Sequence, residues 1–123
     1  MAKPPLILSV DDEDDIRITV RQVLEDEGFR VASAKNGKEC LDKLKKIKPD
    51  LILLDILMPG LTTKEIVTKM GKQGTRPKII FLTVVKLSEA AKKDIVKGNM
   101  VDYIQKPFDN NDLVRRVKKA LKS

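Results

Sequence analysis

Four short apolar runs in this chain each lead into a polar side chain. In chain order, the runs and the groups that follow them are Leu6–Val10 with Asp11 and Asp12, Leu51–Leu54 with Asp55, Ile79–Leu82 with Thr83, and Tyr103–Ile104 with Lys106. If the runs are neighbouring parallel strands, their carboxyl ends lie along one sheet edge, where open α/β folds bind ligands. The pattern therefore predicts a single polar pocket built from residues far apart in the chain.

Longer amphipathic segments separate the apolar runs, and this alternation predicts five βα units around a parallel sheet. The near-continuous apolar run Leu6–Val10 is typical of a strand covered on both faces, whereas the more polar run Arg30–Ala34 indicates an edge strand. From periodicity and end signals, we predict strands over about residues 6–10, 30–34, 51–54, 78–82 and 101–104, and helices over about 14–27, 38–47, 63–72, 88–97 and 110–121.

The length of 123 residues predicts one domain over 1–123, with a core over Leu6–Leu121 and no effector domain. The apolar stretches are far shorter than the roughly 20 residues needed to span a bilayer, and no signal-like region follows the amino terminus. We therefore expect a cytoplasmic protein without membrane insertion.

The chain has no histidine and one cysteine, Cys40, which excludes an internal disulfide, zinc sites and Ser/His or Cys/His catalysis. Cys40 falls in a helical apolar pattern with Leu41 and Leu44, so we predict a buried role for it rather than a reactive one. Any reaction at this protein must therefore use carboxylate, hydroxyl or lysine side chains.

The net charge of +7 suggests a nucleic-acid partner, but the aromatic fraction is only 3%. Proteins that bind single-stranded nucleic acid usually offer aromatic stacking platforms, which this chain lacks. The charge is also uneven, because residues 86–123 carry 10 Lys+Arg against 5 Asp+Glu. We expect no direct DNA binding, and we place the basic excess in the C-terminal third.

The carboxylates of residues 11–15 divide into two groups. Glu13, Asp14 and Asp15 fit a solvated helix start, where acidic side chains interact favourably with the helix dipole. Asp11 and Asp12 instead end a strand and face the same edge as Asp55. Because three converging carboxylates repel one another unless a cation neutralises them, and because oxygen-only ligands suit a hard ion, we predict a Mg²⁺ site.

A carboxylate beside a divalent cation can attack phosphorus and form an acyl phosphate, and Asp55 is the candidate. The transferred oxygens would need the positive charge and donors that Lys106 and Thr83 supply. Pro107 restricts the direction of Lys106 and makes a cis peptide bond plausible.

These motifs resemble the receiver domain of two-component response regulators, in its single-domain, chemotaxis-type form. The matching residues span the whole chain: Asp11–Asp12, Leu53–Leu54–Asp55–Ile56–Leu57–Met58–Pro59–Gly60, Leu82–Thr83 and Asp102–Tyr103–Ile104–Gln105–Lys106–Pro107–Phe108. The resemblance implies a doubly wound, flavodoxin-like α/β fold with strand order 2-1-3-4-5. It also implies a phosphorylation-activated switch that catalyses only its own phosphorylation and dephosphorylation, and so is not an enzyme in the usual sense.

The resemblance further assigns roles to individual positions. Asp55 would accept a phosphoryl group from the phosphohistidine of a sensor histidine kinase or a histidine phosphotransfer protein. Magnesium would be bound by Asp12, Asp55 and the backbone carbonyl of Leu57, with Asp11 acting through water. Thr83 and Lys106 would hold the phosphoryl oxygens, and Tyr103 would change rotamer when Thr83 moves inward.

Three positions beside the site depart from the commonest family pattern. Val84 replaces the usual small residue after the threonine, which predicts restricted access for small donors and water. The resemblance implies that Leu57 and Val85 occupy positions that help set the dephosphorylation rate, and because both are apolar, neither side chain can orient an attacking water molecule. We therefore predict a long-lived phosphoryl state.

The family often signals through a face formed by its fourth helix, fifth strand and fifth helix. Here the cations available on that face are Lys92, Lys93, Lys97, Arg115, Arg116, Lys118, Lys119 and Lys122. We expect an unidentified downstream protein to bind there, with the chain acting as a monomer or a weak phosphorylation-dependent dimer.

Two alternatives remain open. One is an interaction module that works without phosphorylation. The other is an aspartyl-nucleophile phosphatase, although that class needs a second aspartate where this chain has Leu57, and a substrate cap for which this chain lacks the length.

Overall fold

The fold is an alternating α/β arrangement, seen in a computed structural model that describes residues 3–74, 77–84 and 100–122. Its strands are β1 (Leu6–Val10), β2 (Arg30–Ala34), β3 (Leu51–Asp55), β4 (Lys78–Thr83) and β5 (Met100–Gln105). Its helices are α1 (Asp14–Asp26), α2 (Gly37–Leu44), α3 (Thr63–Lys72) and α4 (Asn110–Lys122). The helix predicted over 88–97, with its lysines, and Val85 lie outside the described residues.

The five strands form one parallel sheet in the order β2-β1-β3-β4-β5. This order confirms the predicted doubly wound topology, and it places β2 at an edge, as its polar sequence indicated. The pairing of β4 with β5 contains a register shift between Ile79 and Ile80.

The core lies in two layers on opposite faces of the sheet. Leu8 and Val10 of β1 join the cluster that includes residues of α2 and α3, whereas Ile7 joins the cluster under α1 and α4. This alternation follows from the pleat of a strand, which sends successive side chains to opposite faces. The central strand β3 is buried along its whole length.

Helix ends follow local capping chemistry. Before α2, the Asn36 side chain accepts a hydrogen bond from the Glu39 backbone N–H. The same helix ends at Leu44, three residues before the predicted Ile47. The prediction was wrong there because the N–H groups of Lys45 and Lys46 bond to carbonyls three residues back, which makes a tight turn instead of a further helical turn.

Three strands, β3, β4 and β5, extend one residue further at their carboxyl ends than predicted, and in β3 and β4 this brings polar groups of the site into the sheet itself. Asp55 is the last residue of β3, and Thr83 is the last residue of β4. Asp11 follows β1 directly, and its backbone N–H donates to the Ala34 carbonyl at 3.1 Å. The regular strand backbone therefore sets where these groups sit at the carboxyl edge. Among the described helices, none is long and apolar enough to cross a membrane.

Candidate functional site

Three carboxylates converge at the carboxyl edge of the sheet. One carboxylate oxygen from each of Asp11, Asp12 and Asp55 lies within 4.8 Å of the other two. Asp11 is fully buried and Asp55 is 4% exposed, whereas Asp12 is exposed to solvent. The sequence predicted this convergence from strand ends that lie more than 40 residues apart.

A buried lysine completes the cluster. The Lys106 Nζ lies 2.6 Å from Asp11 Oδ2 and 3.5 Å from Asp55 Oδ2, with its side chain 6% exposed. The Lys106–Pro107 peptide bond is cis, as the proline suggested. The Lys106 backbone N–H donates to the Thr83 carbonyl at 2.7 Å. The end of β5 is thus attached to the end of β4, and the ammonium group reaches across the edge toward β1.

Burial and like charge disfavour the ionised form of Asp55. Burial raises the pKa of Asp55 to about 6, and the Asp11 carboxylate adds to this effect. The Leu57 N–H, which donates to Asp55 Oδ1 at 3.1 Å, and the Lys106 ammonium act in the opposite direction. The pocket is therefore short of positive charge.

The lysine is stabilised in its charged form. Burial acts to lower the pKa of Lys106, but the hydrogen bond to Asp11 and the charges of Asp11 and Asp55 outweigh burial, so the pKa is raised. Lys106 consequently stays an ammonium group through the physiological range and contributes one fixed positive charge to the pocket.

Thr83 and Tyr103 share one face of the sheet. Thr83 is fully buried, and Tyr103 is half-buried against the core cluster of α2 and α3. Phe81 pairs with Tyr103 and Thr83 with Gln105, so Tyr103 lies diagonally across from Thr83 on the neighbouring strand. The two residues are placed where a movement of one can affect the packing of the other.

Apolar side chains stand at the rim of the pocket. Leu57 is 53% exposed and Val84 is 56% exposed, which is unusual for large apolar residues. Val84 directly follows Thr83 at the end of β4, and Leu57 lies two residues after Asp55 at the end of β3. Their predicted effect on access and on phosphoryl lifetime stays a prediction.

The described part of the basic C-terminal face is less free than the sequence suggested. Arg116 pairs with both Asp102 and Asp112 at 2.8 and 2.9 Å, and Arg115 also pairs with Asp112. Lys118 pairs at 3.0 Å with Glu27, which directly follows α1. The remaining described cations of α4, Lys119 and Lys122, are exposed. The pairs with Asp102 and Glu27 are not evident from the sequence, because these carboxylates are distant in the chain from the cations that they neutralise.

Arg17 of α1 is a further residue near the site that was not predicted from the sequence. Its guanidinium donates to the backbone carbonyl of Asp11 and to the Asp14 carboxylate. The only signal in the sequence was an arginine three residues after an aspartate at a helix start, which is common on exposed helices.

The donor set fits a hard divalent cation. Carboxylate oxygens are the ligands that magnesium prefers, and the exposed Asp12 leaves the site open to water, which magnesium tends to retain. Burial and the neighbouring carboxylates raise the pKa of Asp55, which agrees with a pocket in which additional positive charge is favourable.

The protein is thus a doubly wound α/β domain whose five-stranded parallel sheet carries an acidic cluster and a buried lysine at its carboxyl edge. Residues 7–118 match the family model of the response regulator receiver domain, and the chain belongs to this family. Receiver domains of two-component systems are signalling switches that interact with histidine kinases and bind Mg²⁺ at their acidic pocket.

Relatives of two kinds match the chain. It is 40% identical over 116 residues to the transcriptional regulatory protein ResD of Bacillus subtilis, covering 94% of this chain and 48% of that protein. It is 34% identical over 115 residues to the sporulation initiation phosphotransferase F of the same organism, covering 94% and 92%. The chain therefore spans about half the length of the transcriptional regulator and nearly all of the phosphotransferase.

A solved structure shares the fold. The response regulator protein TrrA from Thermotoga maritima, described as a complex with Mg(2+)-BeF, superposes with a TM-score of 0.79 at 34% identity. The match covers 94% of this chain and 98% of that one.

Proposed function

We propose that this chain is a phosphorylation-activated switch in which Asp55 accepts the phosphoryl group. The donor is the phosphohistidine of a sensor histidine kinase or of a histidine phosphotransfer protein. The observation that carries this proposal is the convergence of Asp11, Asp12 and Asp55, with the Lys106 ammonium against two of them, Asp11 and Asp55. This arrangement supplies a nucleophile, a cation site and a fixed positive charge in one pocket.

Asp12, Asp55 and the Leu57 carbonyl would hold Mg²⁺ directly, with Asp11 acting through water. When bound, the ion supplies positive charge that offsets carboxylate repulsion and neutralises the transferring phosphoryl oxygens. The Leu57 N–H, by donating to Asp55 Oδ1, keeps that carboxylate in a defined orientation.

The protein's own groups account for the transfer step. A carboxylate oxygen of Asp55 forms a bond to phosphorus as the bond from phosphorus to the donor imidazole nitrogen breaks. The electron pair of that bond leaves with the imidazole, which takes up a proton. Lys106 Nζ and the Thr83 hydroxyl donate hydrogen bonds to the phosphoryl oxygens, where negative charge is concentrated.

The signal would leave the site through Thr83 and Tyr103. A new hydrogen bond from Thr83 to the phosphoryl group draws this side chain toward Asp55 and makes room for Tyr103 to turn inward. Because Arg116 of α4 donates to the Tyr103 carbonyl at 3.5 Å, rotation of Tyr103 would change the surface formed by β5 and α4. A downstream protein that binds this surface then distinguishes the two states.

The first experiment tests acceptance by Asp55. The protein is incubated with Mg²⁺ and a phosphorylated histidine phosphotransfer domain, and the product is followed by intact mass and by peptide mapping. We expect one added phosphoryl group on the peptide that contains Asp55, and none in Asp55→Asn. Asp42→Asn, which removes an exposed carboxylate on α2, is the matched control and should behave as wild type. Phosphorylation of Asp55→Asn to the wild-type level would contradict the assignment.

A second experiment tests the switch. Proteins retained by the beryllofluoride and magnesium form are compared with those retained by the untreated protein and by Asp55→Ala. The proposal requires a partner that is retained differently by the first form. Identical sets in all three arms would instead support an interaction module that works without phosphorylation.

A further inference from the structure

Arg17 connects the first helix to the end of the first strand. Its guanidinium donates to the backbone carbonyl of Asp11 and, through a second nitrogen, to the carboxylate of Asp14. The Arg17 side chain is 17% exposed, whereas that of Asp14 is 81% exposed. The arginine is therefore held against the connection between β1 and α1 and does not extend into solvent.

All three oxygen atoms of Asp11 accept hydrogen bonds, in addition to the bond that its backbone N–H donates to Ala34. Its Oδ1 accepts from the Glu13 N–H at 3.0 Å and its Oδ2 from Lys106 Nζ at 2.6 Å, while its backbone carbonyl accepts from Arg17. The neighbouring Asp12 is exposed, and within the described part of the chain its carboxylate has no hydrogen bond or ion pair. The orientation of Asp12 consequently depends on the peptide group that joins it to Asp11.

We propose that Arg17 is a positioning residue for the cation site. By holding the carbonyl of the peptide group between Asp11 and Asp12, it keeps the Asp12 carboxylate directed toward Asp11 and Asp55. By pairing with Asp14, it also withdraws a nearby carboxylate that would otherwise compete for the cation. Groups that orient metal ligands in this way contribute strongly to the affinity of a site for its metal ion. The inference rests on the proposed function, since it concerns the Mg²⁺ site of that mechanism.

Electrostatics alone predicts the opposite effect. Arg17 is a cation beside an acidic cluster, so its removal should strengthen binding of another cation through Coulomb's law. If Arg17 positions Asp12, removal should weaken binding despite the more negative pocket. The direction of the change therefore separates the two explanations.

The test is a titration of the protein with MgCl₂, followed by backbone amide chemical shifts, for wild type, Arg17→Met and Arg17→Lys. Arg21→Met is the matched control, because Arg21 lies one turn further along α1, carries the same charge and contacts the Ser33 hydroxyl at 3.2 Å and not the Asp11 carbonyl. We expect Arg17→Met to weaken Mg²⁺ binding about 10-fold. Arg17→Lys keeps the positive charge but has one donor nitrogen instead of two, so its Mg²⁺ affinity should lie between those of wild type and Arg17→Met. Arg21→Met should bind Mg²⁺ as wild type does or slightly more tightly.

A kinetic readout separates positioning from general damage. In phosphorylation of Asp55, the half-saturating Mg²⁺ concentration should rise about 10-fold in Arg17→Met while the rate at saturating Mg²⁺ stays within about twofold of wild type. An unchanged or tighter Mg²⁺ affinity in Arg17→Met overturns the positioning role. If Arg17→Met does not fold, the charge-conserving variant Arg17→Lys decides: wild-type Mg²⁺ affinity in Arg17→Lys overturns the positioning role, and a loss of Mg²⁺ affinity supports it. If the wild-type protein itself shows no Mg²⁺-dependent shifts at Asp12 and Asp55, the proposed function fails first.

Discussion

The Lys106 ammonium lies 2.6 Å from the Asp11 carboxylate but 3.5 Å from that of Asp55. The lysine is thus held in the pocket mainly by the carboxylate that is not the proposed acceptor. The Asp55 Oδ2 atom makes the longer contact with the Lys106 ammonium, while Asp55 Oδ1 accepts a hydrogen bond from the Leu57 N–H. In the proposed transfer, this division of contacts would leave Lys106 able to donate to the phosphoryl oxygens and Asp55 able to act as the nucleophile.

Substitution Lys106→Met should impair transfer more than cation binding. Loss of the ammonium removes a hydrogen-bond donor to the developing charge, and such losses typically slow reactions by about 100-fold. Mg²⁺ affinity should stay the same or increase, because a positive charge has been removed beside the three carboxylates. Phosphorylation rates at saturating Mg²⁺, combined with an MgCl₂ titration, check both statements. A variant that loses Mg²⁺ binding and transfer together would point to collapse of the pocket.

Asp55→Asn should stabilise the metal-free protein at neutral pH. The pKa of Asp55 is raised to about 6, so the folded state favours the neutral acid. The contribution of the Asp55 carboxyl to the free energy of unfolding is therefore complete below the unfolded-state pKa of about 3.9. This contribution is lost as pH rises through about 6, because folding then has to bury an ionised group. A shift of two pKa units corresponds to at most about 3 kcal/mol.

Urea unfolding of metal-free wild type and Asp55→Asn at pH 4 and pH 7 measures this difference. The gain in the free energy of unfolding should be present at pH 7 and small at pH 4. Asp42→Asn, an exposed carboxylate of α2, should show no comparable gain at either pH. Equal stability of wild type and Asp55→Asn at pH 7 would show that the cluster is already neutralised within the protein.

Leu57→Asn should shorten the lifetime of the phosphoryl group. An amide at this exposed rim position can orient a water molecule toward phosphorus, which the leucine cannot do. We expect loss of label from isolated phosphoprotein to become about 10-fold faster. Ile18→Asn, which changes an equally exposed apolar residue of α1, is the control and should leave the rate unaltered. Rapid loss from wild type, not accelerated in Leu57→Asn, would contradict a slow switch.

The thiol of Cys40 should be unreactive in the native protein. Burial raises the pKa of Cys40 to about 12, and the side chain is fully buried in the α2 layer of the core. Almost no thiolate exists at pH 8, so an aromatic disulfide reagent should react only at the rate of unfolding. The absorbance of the released thiol, with and without denaturant, measures this. Fast stoichiometric release without denaturant would mean that α2 opens locally.

Much of the fold followed from local features of the chain. The alternation of apolar runs with amphipathic segments predicted the sheet and the described helices, and the bounds of β2 and α3 agree with the structure. These signals are strong because side-chain periodicity directly reports which face is buried. The end of α2 was missed because a tight turn and a further helical turn place Ile47 similarly along an apolar face.

The sequence by itself determined which groups meet. Asp11, Asp12, Asp55, Thr83 and Lys106 each stand at or just beyond a strand end, and parallel strands bring such ends to one edge whatever the details of packing. Only the tertiary structure decided how these groups pair. Lys106 contacts Asp11 across 95 residues of chain, Arg17 turns inward to the Asp11 carbonyl, and Arg116 is neutralised by Asp102. Such contacts depend on side-chain directions fixed by the packing of helices on the sheet, which no local pattern encodes.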